Sequence, residues 1–208
     1  IHAVLRYAGG LGIGTFYKWL DCLDLKTGSI RNFSNIPSDP TSLCNDYVYS
    51  ILKSRDGRIF VGTMSGLCFL DAKSGRFSRV KELEEMFIGD LAEDSGGNIW
   101  APTRDHGIFR LTAQDGKWVC FRPVEDRTDL PADLKYTRGN IGESGAVWFC
   151  GERYGITKYD PETEKFTNYG SSQGLPESIY YGVLEDGSGN LWLSSNIGIV
   201  RYNPTTHY

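Results

Sequence analysis

The stretch Gly182-Val183-Leu184-Glu185-Asp186-Gly187-Ser188-Gly189-Asn190-Leu191-Trp192-Leu193, followed by Gly198-Ile199 and Arg201-Tyr202-Asn203-Pro204, is the clearest copy of a recurring phrase. An earlier copy reads Ser50-Ile51-Leu52, Asp56-Gly57-Arg58-Ile59-Phe60-Val61-Gly62-Thr63, Gly66-Leu67 and Phe69-Leu70-Asp71. The aromatic residues Phe60, Trp100, Trp148 and Trp192 follow one another at intervals of 40, 48 and 44 residues, and Gly66, Gly107, Gly155 and Gly198 at 41, 48 and 43. Two independent landmarks keep nearly one period. Short apolar runs punctuated by turn residues at such a period are the signature of β-propeller blades.

Within the second copy the runs are Tyr47 to Leu52, Ile59 to Thr63, Leu67 to Leu70 and Phe77 to Val80. Asp-Gly and Ser-Gly pairs between them supply the positive φ of tight hairpins, so each copy predicts a four-stranded antiparallel meander. Runs of four to six residues are too short for ordinary helices. One such sheet cannot bury both faces, but neighbouring sheets stacked around an axis can. The recurrent aromatic should fill the space between blades, and Trp100, Trp148 and Trp192 are all expected to be buried.

A worn first copy opens the chain: Ile1 to Leu5 matches the first strand, and Leu11-Gly12-Ile13-Gly14-Thr15 matches Ile59 to Thr63. The expected fold class is therefore all-β, a propeller of about five blades forming one continuous unit over residues 1–208. The blades lie near 1–46, 47–86, 87–135, 136–178 and 179–208. The fifth lacks its fourth strand, so the array is expected to be part of a larger propeller whose remaining blades are its partners. Open edges also allow a homodimer.

A net charge of −4 with scattered Lys and Arg excludes the basic stripe that nucleic acid requires. No apolar run is long enough to span a membrane. The five cysteines form no Cys-x-x-Cys pair and fall mostly in predicted strands, which favours buried free thiols. His2, His106 and His207 come from different copies without ligand spacing, so no metal or cofactor is expected.

Gly170-Ser171-Ser172-Gln173-Gly174 fits the pattern of a nucleophile elbow, yet Leu175-Pro176 follows where a helix is needed. Gly10-Leu11-Gly12-Ile13-Gly14 lacks the glycine spacing of a dinucleotide loop. Asp94 to Asn98 and Asp186 to Asn190 look like calcium loops but lack the closing acid, and their recurrence marks them as hairpin turns. Asn32-Phe33-Ser34 is a glycosylation triplet that matters only in a eukaryotic secretory setting. No catalytic residue is expected.

The phrase apolar-Glu-Asp, x-x-Gly-Asn-Leu-Trp-Leu, Gly-Ile-x-x-Tyr-Asn-Pro resembles the two-component regulator propeller repeat, and the links Ser38 to Leu43 and Gly174 to Ser178 resemble its inter-blade connections. The resemblance covers essentially the whole chain. It implies a periplasmic, extracytoplasmic sensor region of a hybrid two-component histidine kinase that detects an oligosaccharide. A paired propeller, a membrane helix, a kinase and a DNA-binding output would lie elsewhere in such a protein. Two other classes remain open: a propeller lyase or hydrolase acting on glycans, and a protein-interaction scaffold.

In an up-and-down blade the loop joining strands two and three shares a face with the link to the next blade. Those loops vary from copy to copy, while the opposite turns are uniform Asp/Ser/Gly sequences. Variable side chains on a repeated scaffold are where function resides. The candidate ligand-binding residues are therefore Trp19, Arg104, His106, Arg153, Tyr154 and Asn196. Aromatic faces and bidentate donors suit sugars and their carboxylates.

Overall fold

The protein, described from a computed structural model, is all-β. Residues 3–7, 10–15, 19–122, 130, 136–142, 144–151 and 155–207 are described. Two compact units, Ile1–Leu91 and Ala92–Tyr208, contain the sheets.

The first unit holds β1 (Ala3–Tyr7), β2 (Gly10–Gly14), β3 (Leu20–Asp24) and β4 (Ile30–Phe33), then β5 (Val48–Lys53), β6 (Ile59–Thr63), β7 (Gly66–Asp71) and β8 (Arg76–Arg79). The second holds β9 (Ala92–Glu93), β10 (Ile99–Pro102), β11 (Ile108–Leu111) and β12 (Trp118–Phe121), then β13 (Tyr136–Ile141), β14 (Val147–Gly151), β15 (Ile156–Asp160) and β16 (Lys165–Tyr169). The last sheet is β17 (Tyr180–Glu185), β18 (Leu191–Ser195) and β19 (Gly198–Tyr202). Strand order in every sheet follows chain order, each pair antiparallel, with four strands in four sheets and three in the last. This is the blade expected from the repeat, including the missing fourth strand. A short 3-10 turn follows β8 (Lys81–Leu83) and another follows β16 (Ser171–Gln173).

Stacking explains the strand composition. β14 is buried at every position because both of its faces meet sheets of its own unit, and β6 is likewise buried throughout, so both read as continuous apolar runs. The outermost β8 buries only Phe77. One core cluster joins the first two sheets through Leu20, Cys22, Val48, Val61 and Cys68. In the second unit, Trp100, Phe149 and Tyr159 fill one inter-sheet space, and Trp148, Tyr180, Leu191 and Tyr202 the next. Each link buries a leucine: Leu43, Leu83, Leu130 and Leu175 are 0–4% exposed.

The hairpin between strands one and two serves the buried indole. In the third sheet Asp94 accepts the Trp100 Nε1–H at 2.8 Å and the Asn98 backbone N–H at 2.9 Å. In the last sheet Asp186 accepts the Trp192 Nε1–H at 2.9 Å and the Asn190 backbone N–H at 2.9 Å. These hydrogen bonds hold the Asp186 carboxyl well below the usual carboxylate range. The second sheet has Phe60, which needs no acceptor, and Ser54 takes the aspartate position: its backbone N–H bonds Arg58 O as Asp94 N–H bonds Asn98 O. In the fourth sheet that position is Gly142, and the Trp148 indole donates instead to Glu185 Oε2, at 3.1 Å, from the neighbouring sheet. A Cβ on Gly142 would lie 1.7 Å from that oxygen. The missing side chain makes room for the borrowed carboxylate, which also accepts from Ser144 Oγ at 2.8 Å.

Two expectations need correction. Trp100 and Trp148 are buried, but Trp192 is 43% exposed. Leu184 and Arg201 flank Trp192 in register, and Leu184 and Ile199 are exposed with it. Nor are the cysteines uniformly buried: Cys22, Cys68 and Cys150 are, Cys44 is half-buried, and Cys120 lies exposed on the outermost β12.

Truncating Trp100 to alanine should cost about 3–5 kcal/mol, as for a fully buried large side chain, whereas Trp192→Ala should cost well under half of that. Urea titration of both variants of the isolated chain checks the contrast. For the borrowed carboxylate, Glu185→Ala should cost about 1–3 kcal/mol by stranding the Trp148 N–H. Gly142→Asp should also destabilise, through repulsion of Glu185. The double variant, with an acceptor restored inside its own hairpin, should recover about 1 kcal/mol or more relative to additivity in a double-mutant cycle.

Candidate functional site

The tips joining strands two and three are built alike. Thr63, Thr103 and Ser195 hydroxyls donate across the tip to the carbonyls of Gly66, Gly107 and Gly198 at 2.7–2.8 Å. Those glycines have φ of 113°, 93° and 115°, and a Cβ on Gly107 would sit 2.3 Å from Phe121 O. In the first sheet Thr15 Oγ1 donates to Trp19 O at 3.2 Å, so Trp19 occupies the glycine position. Its φ of 58° puts a bulky residue in the left-handed region, a conformation that concentrates at functional positions. The indole is exposed.

Tips and links share a face, as the blade geometry requires. Gly66 N–H bonds Met86 O at 2.8 Å, Ile88 N–H bonds Thr63 O at 2.9 Å, and Asn196 N–H bonds Ile179 O at 3.3 Å.

Of the six candidate residues, Trp19 lies on the β2–β3 tip, Arg104 and His106 together on the β10–β11 tip, and Asn196 on the β18–β19 tip. Arg104 and His106 side chains are exposed. The His106 carbonyl accepts from Arg122 Nε at 3.1 Å, which ties the tip to the end of β12. Arg153 and Tyr154 lie outside the described residues. Asn196 has a positioning job: its Oδ1 accepts the Ser178 hydroxyl at 2.5 Å and the Ile179 backbone N–H at 3.0 Å.

Beside this link lies a polar cavity of about 420 Å³, lined by Gly155, Asn168, Gly170 to Gln173 and Pro176 to Ser178. Its wall is pinned at several points. Gln173 Oε1 accepts the Gly170 N–H at 2.9 Å, Tyr202 donates to Gln173 O at 2.8 Å, and Tyr180 donates to Pro176 O at 2.5 Å. Burial pushes the Tyr180 phenol up to about 12, so it remains a donor across the physiological range. Ser172 sits in a 3-10 turn with its hydroxyl on Gln173 Oε1 at 2.9 Å, so the Gly-x-Ser-x-Gly match forms no strand-to-helix elbow. The lining offers hydroxyls, amides and the Glu177 carboxylate, a donor and acceptor set suited to a polyhydroxylated ligand.

Sequence reasoning missed this cavity. Its lining comes mostly from the link, whose resemblance to an inter-blade connection carries no sign of the space beside it. Among the described residues, no group of three or more His, Cys, Asp or Glu could hold a metal.

Residues 42–65 match the Two component regulator propeller family, and the chain carries that repeat. Histidine kinase P4 of Formosa agariphila is 29% identical over 94 residues, covering 39% of this chain and 7% of the kinase. The extracellular domain assigned to a hybrid two component system of B. thetaiotaomicron superposes with a TM-score of 0.77 at 20% identity, over 96% of this chain and 26% of that one. Virginiamycin B lyase from Staphylococcus aureus superposes with a TM-score of 0.67 at 16% identity, over 97% and 69%. The fold is that of a β-propeller. The chain spans about a quarter of the sensor structure's length and a small fraction of the kinase's.

Asn196→Ala should free the link at Ile179. The expected result is a cost of about 0.5–1.5 kcal/mol and faster hydrogen exchange at the Ile179 amide, while amides of β14 keep their protection.

Proposed function

We propose that this chain is an extracytoplasmic, ligand-sensing stretch of propeller in a hybrid two-component signalling protein, and that its ligand is an oligosaccharide. The observation that carries the reading is the contrast between a uniform scaffold and its variable tips. One hydroxyl-to-carbonyl geometry repeats at the tips, yet the residues displayed differ, and a polar cavity opens between a tip and a link on that face. The regulator propeller repeat and the likeness to a sensor's extracellular domain support the signalling role. The reading assigns no catalytic step to these residues, although the same fold also serves a lyase.

Arg104 and His106, with Arg153 and Tyr154 at the equivalent tip of the next sheet, supply cationic and aromatic contacts. The cavity walled by Ser171, Ser172 and Glu177 takes hydroxyls. The exposed face bearing Leu184, Trp192 and Ile199 is where a further blade of the same repeat belongs, because the equivalent Trp100 and Trp148 are buried by the sheets that follow them.

Calorimetry of the complete propeller against a panel of glycan fragments tests this. Losing a desolvated charged contact typically costs about 2–5 kcal/mol, so Arg153→Ala should weaken binding by well over tenfold with the fold intact, and Arg104→Ala should weaken it in the same direction. A glycan whose affinity ignores Arg104, His106, Arg153 and Tyr154 would move the site to another face. Turnover of a fragment would favour the lyase or hydrolase class, and capture of a protein partner without glycan the scaffold.

A further inference from the structure

Cysteine usage carries information that ligand sensing does not absorb. Three of the five cysteines meet in one core cluster of the first unit: Cys22 on β3, Cys68 on β7, and Cys44 in the link between the first two sheets. Cys44 packs against the part of this cluster that holds Cys68, whose thiol donates to Val61 O at 3.7 Å. The two differ in access. Cys68 is fully buried, whereas Cys44 lines an open cavity of about 230 Å³ with Ser65, Gly66, Arg79, Glu84 and Glu85.

We propose that Cys44 and Cys68 are a disulfide-forming pair, closed in an oxidising compartment by exchange with a small-molecule or protein disulfide. The exchange follows from access. The Cys44 thiolate, reachable through the cavity, attacks one sulfur of the incoming disulfide, releasing one thiolate and leaving a mixed disulfide on Cys44. Cys68 then gives up its proton and attacks Cys44 Sγ, expelling the second thiolate. Two protein thiols lose two electrons and two protons, and the incoming disulfide is reduced to two thiols. Burial pushes the Cys68 thiol up, and the nearby Arg79 charge opposes that rise, aiding the second step. The bridge would fasten the link that carries Leu43 to the third strand of the second sheet, closing a loop of roughly 25 residues that contains β5, β6 and the start of β7.

The compartment in which this happens rests on the extracytoplasmic reading; the chemistry does not, and the two are tested separately. The full-length protein is equilibrated in reduced–oxidised glutathione buffers, quenched with iodoacetamide and mapped by peptide mass spectrometry. The expected product is a Cys44–Cys68 cross-linked peptide two hydrogens lighter than the thiol pair, retained in Cys120→Ser and absent in Cys44→Ser. Reductant should lower the wild-type Tm by about 5–10 °C and leave Cys44→Ser unchanged. Two alkylatable thiols at positions 44 and 68 in the most oxidising buffer, or a bridge from Cys68 to Cys22, would overturn the proposal. The same mapping on protein trapped by acid in whole cells reports the compartment. A bridge that forms in glutathione but is missing in cells retains the pair and sinks the extracytoplasmic placement.

Discussion

A buried indole N–H must find an acceptor, and much of the repeat phrase exists to meet that demand. An aromatic of indole size in the second strand closes the space between sheets, but it carries a polar edge into a dry seam, where an unpaired donor is costly. Asp94 meets it by folding the preceding hairpin around its carboxylate, which binds the turn's backbone and the indole at once. Hairpin shape and inter-sheet packing are thereby one feature. The aspartate, glycine, asparagine and tryptophan of the phrase recur together because each is a part of it. Where the aromatic is Phe60, the demand disappears and serine suffices.

Legibility followed from that coupling. Sheet number, strand order, the three-stranded last sheet and the burial of Trp100 and Trp148 were readable, because period, turn residues and apolar runs all report the same local geometry. Trp192 was misread for a physical reason: its position in the phrase is identical, but burial depends on a neighbouring sheet, which no local pattern encodes. In copy four, Gly142 is a specific accommodation to Glu185, a residue some forty positions away, and a contact of that range leaves no local trace.

The candidate site was legible at the tips and silent at the links. Tip residues stand out against a constant frame, so Trp19, Arg104, His106 and Asn196 could be placed by register alone. Asn196 has its carbonyl committed to the link, a role decided by where Ser178 and Ile179 arrive in space. The polar cavity beside it depends on how the segment after β16 coils, held by Gln173, Tyr180 and Tyr202 from three different elements. The cysteine pair was hidden for the same reason: 24 positions separate Cys44 from Cys68, and only the path of the link brings Cys44 to the core cluster that holds Cys68.

The loan of Glu185 to Trp148 has a consequence for descent as well as for packing. Repeat arrays grow and vary by duplicating, deleting and exchanging whole units, which is harmless while each unit supplies its own needs. Here the fourth copy is incomplete without the fifth, and the fifth carries a glutamate whose partner lies in the fourth. A duplication inserted between them would leave an indole unmatched on one side and a carboxylate idle on the other. The pair is therefore inherited as a single piece, and the order of these two copies is fixed where that of self-sufficient copies remains free.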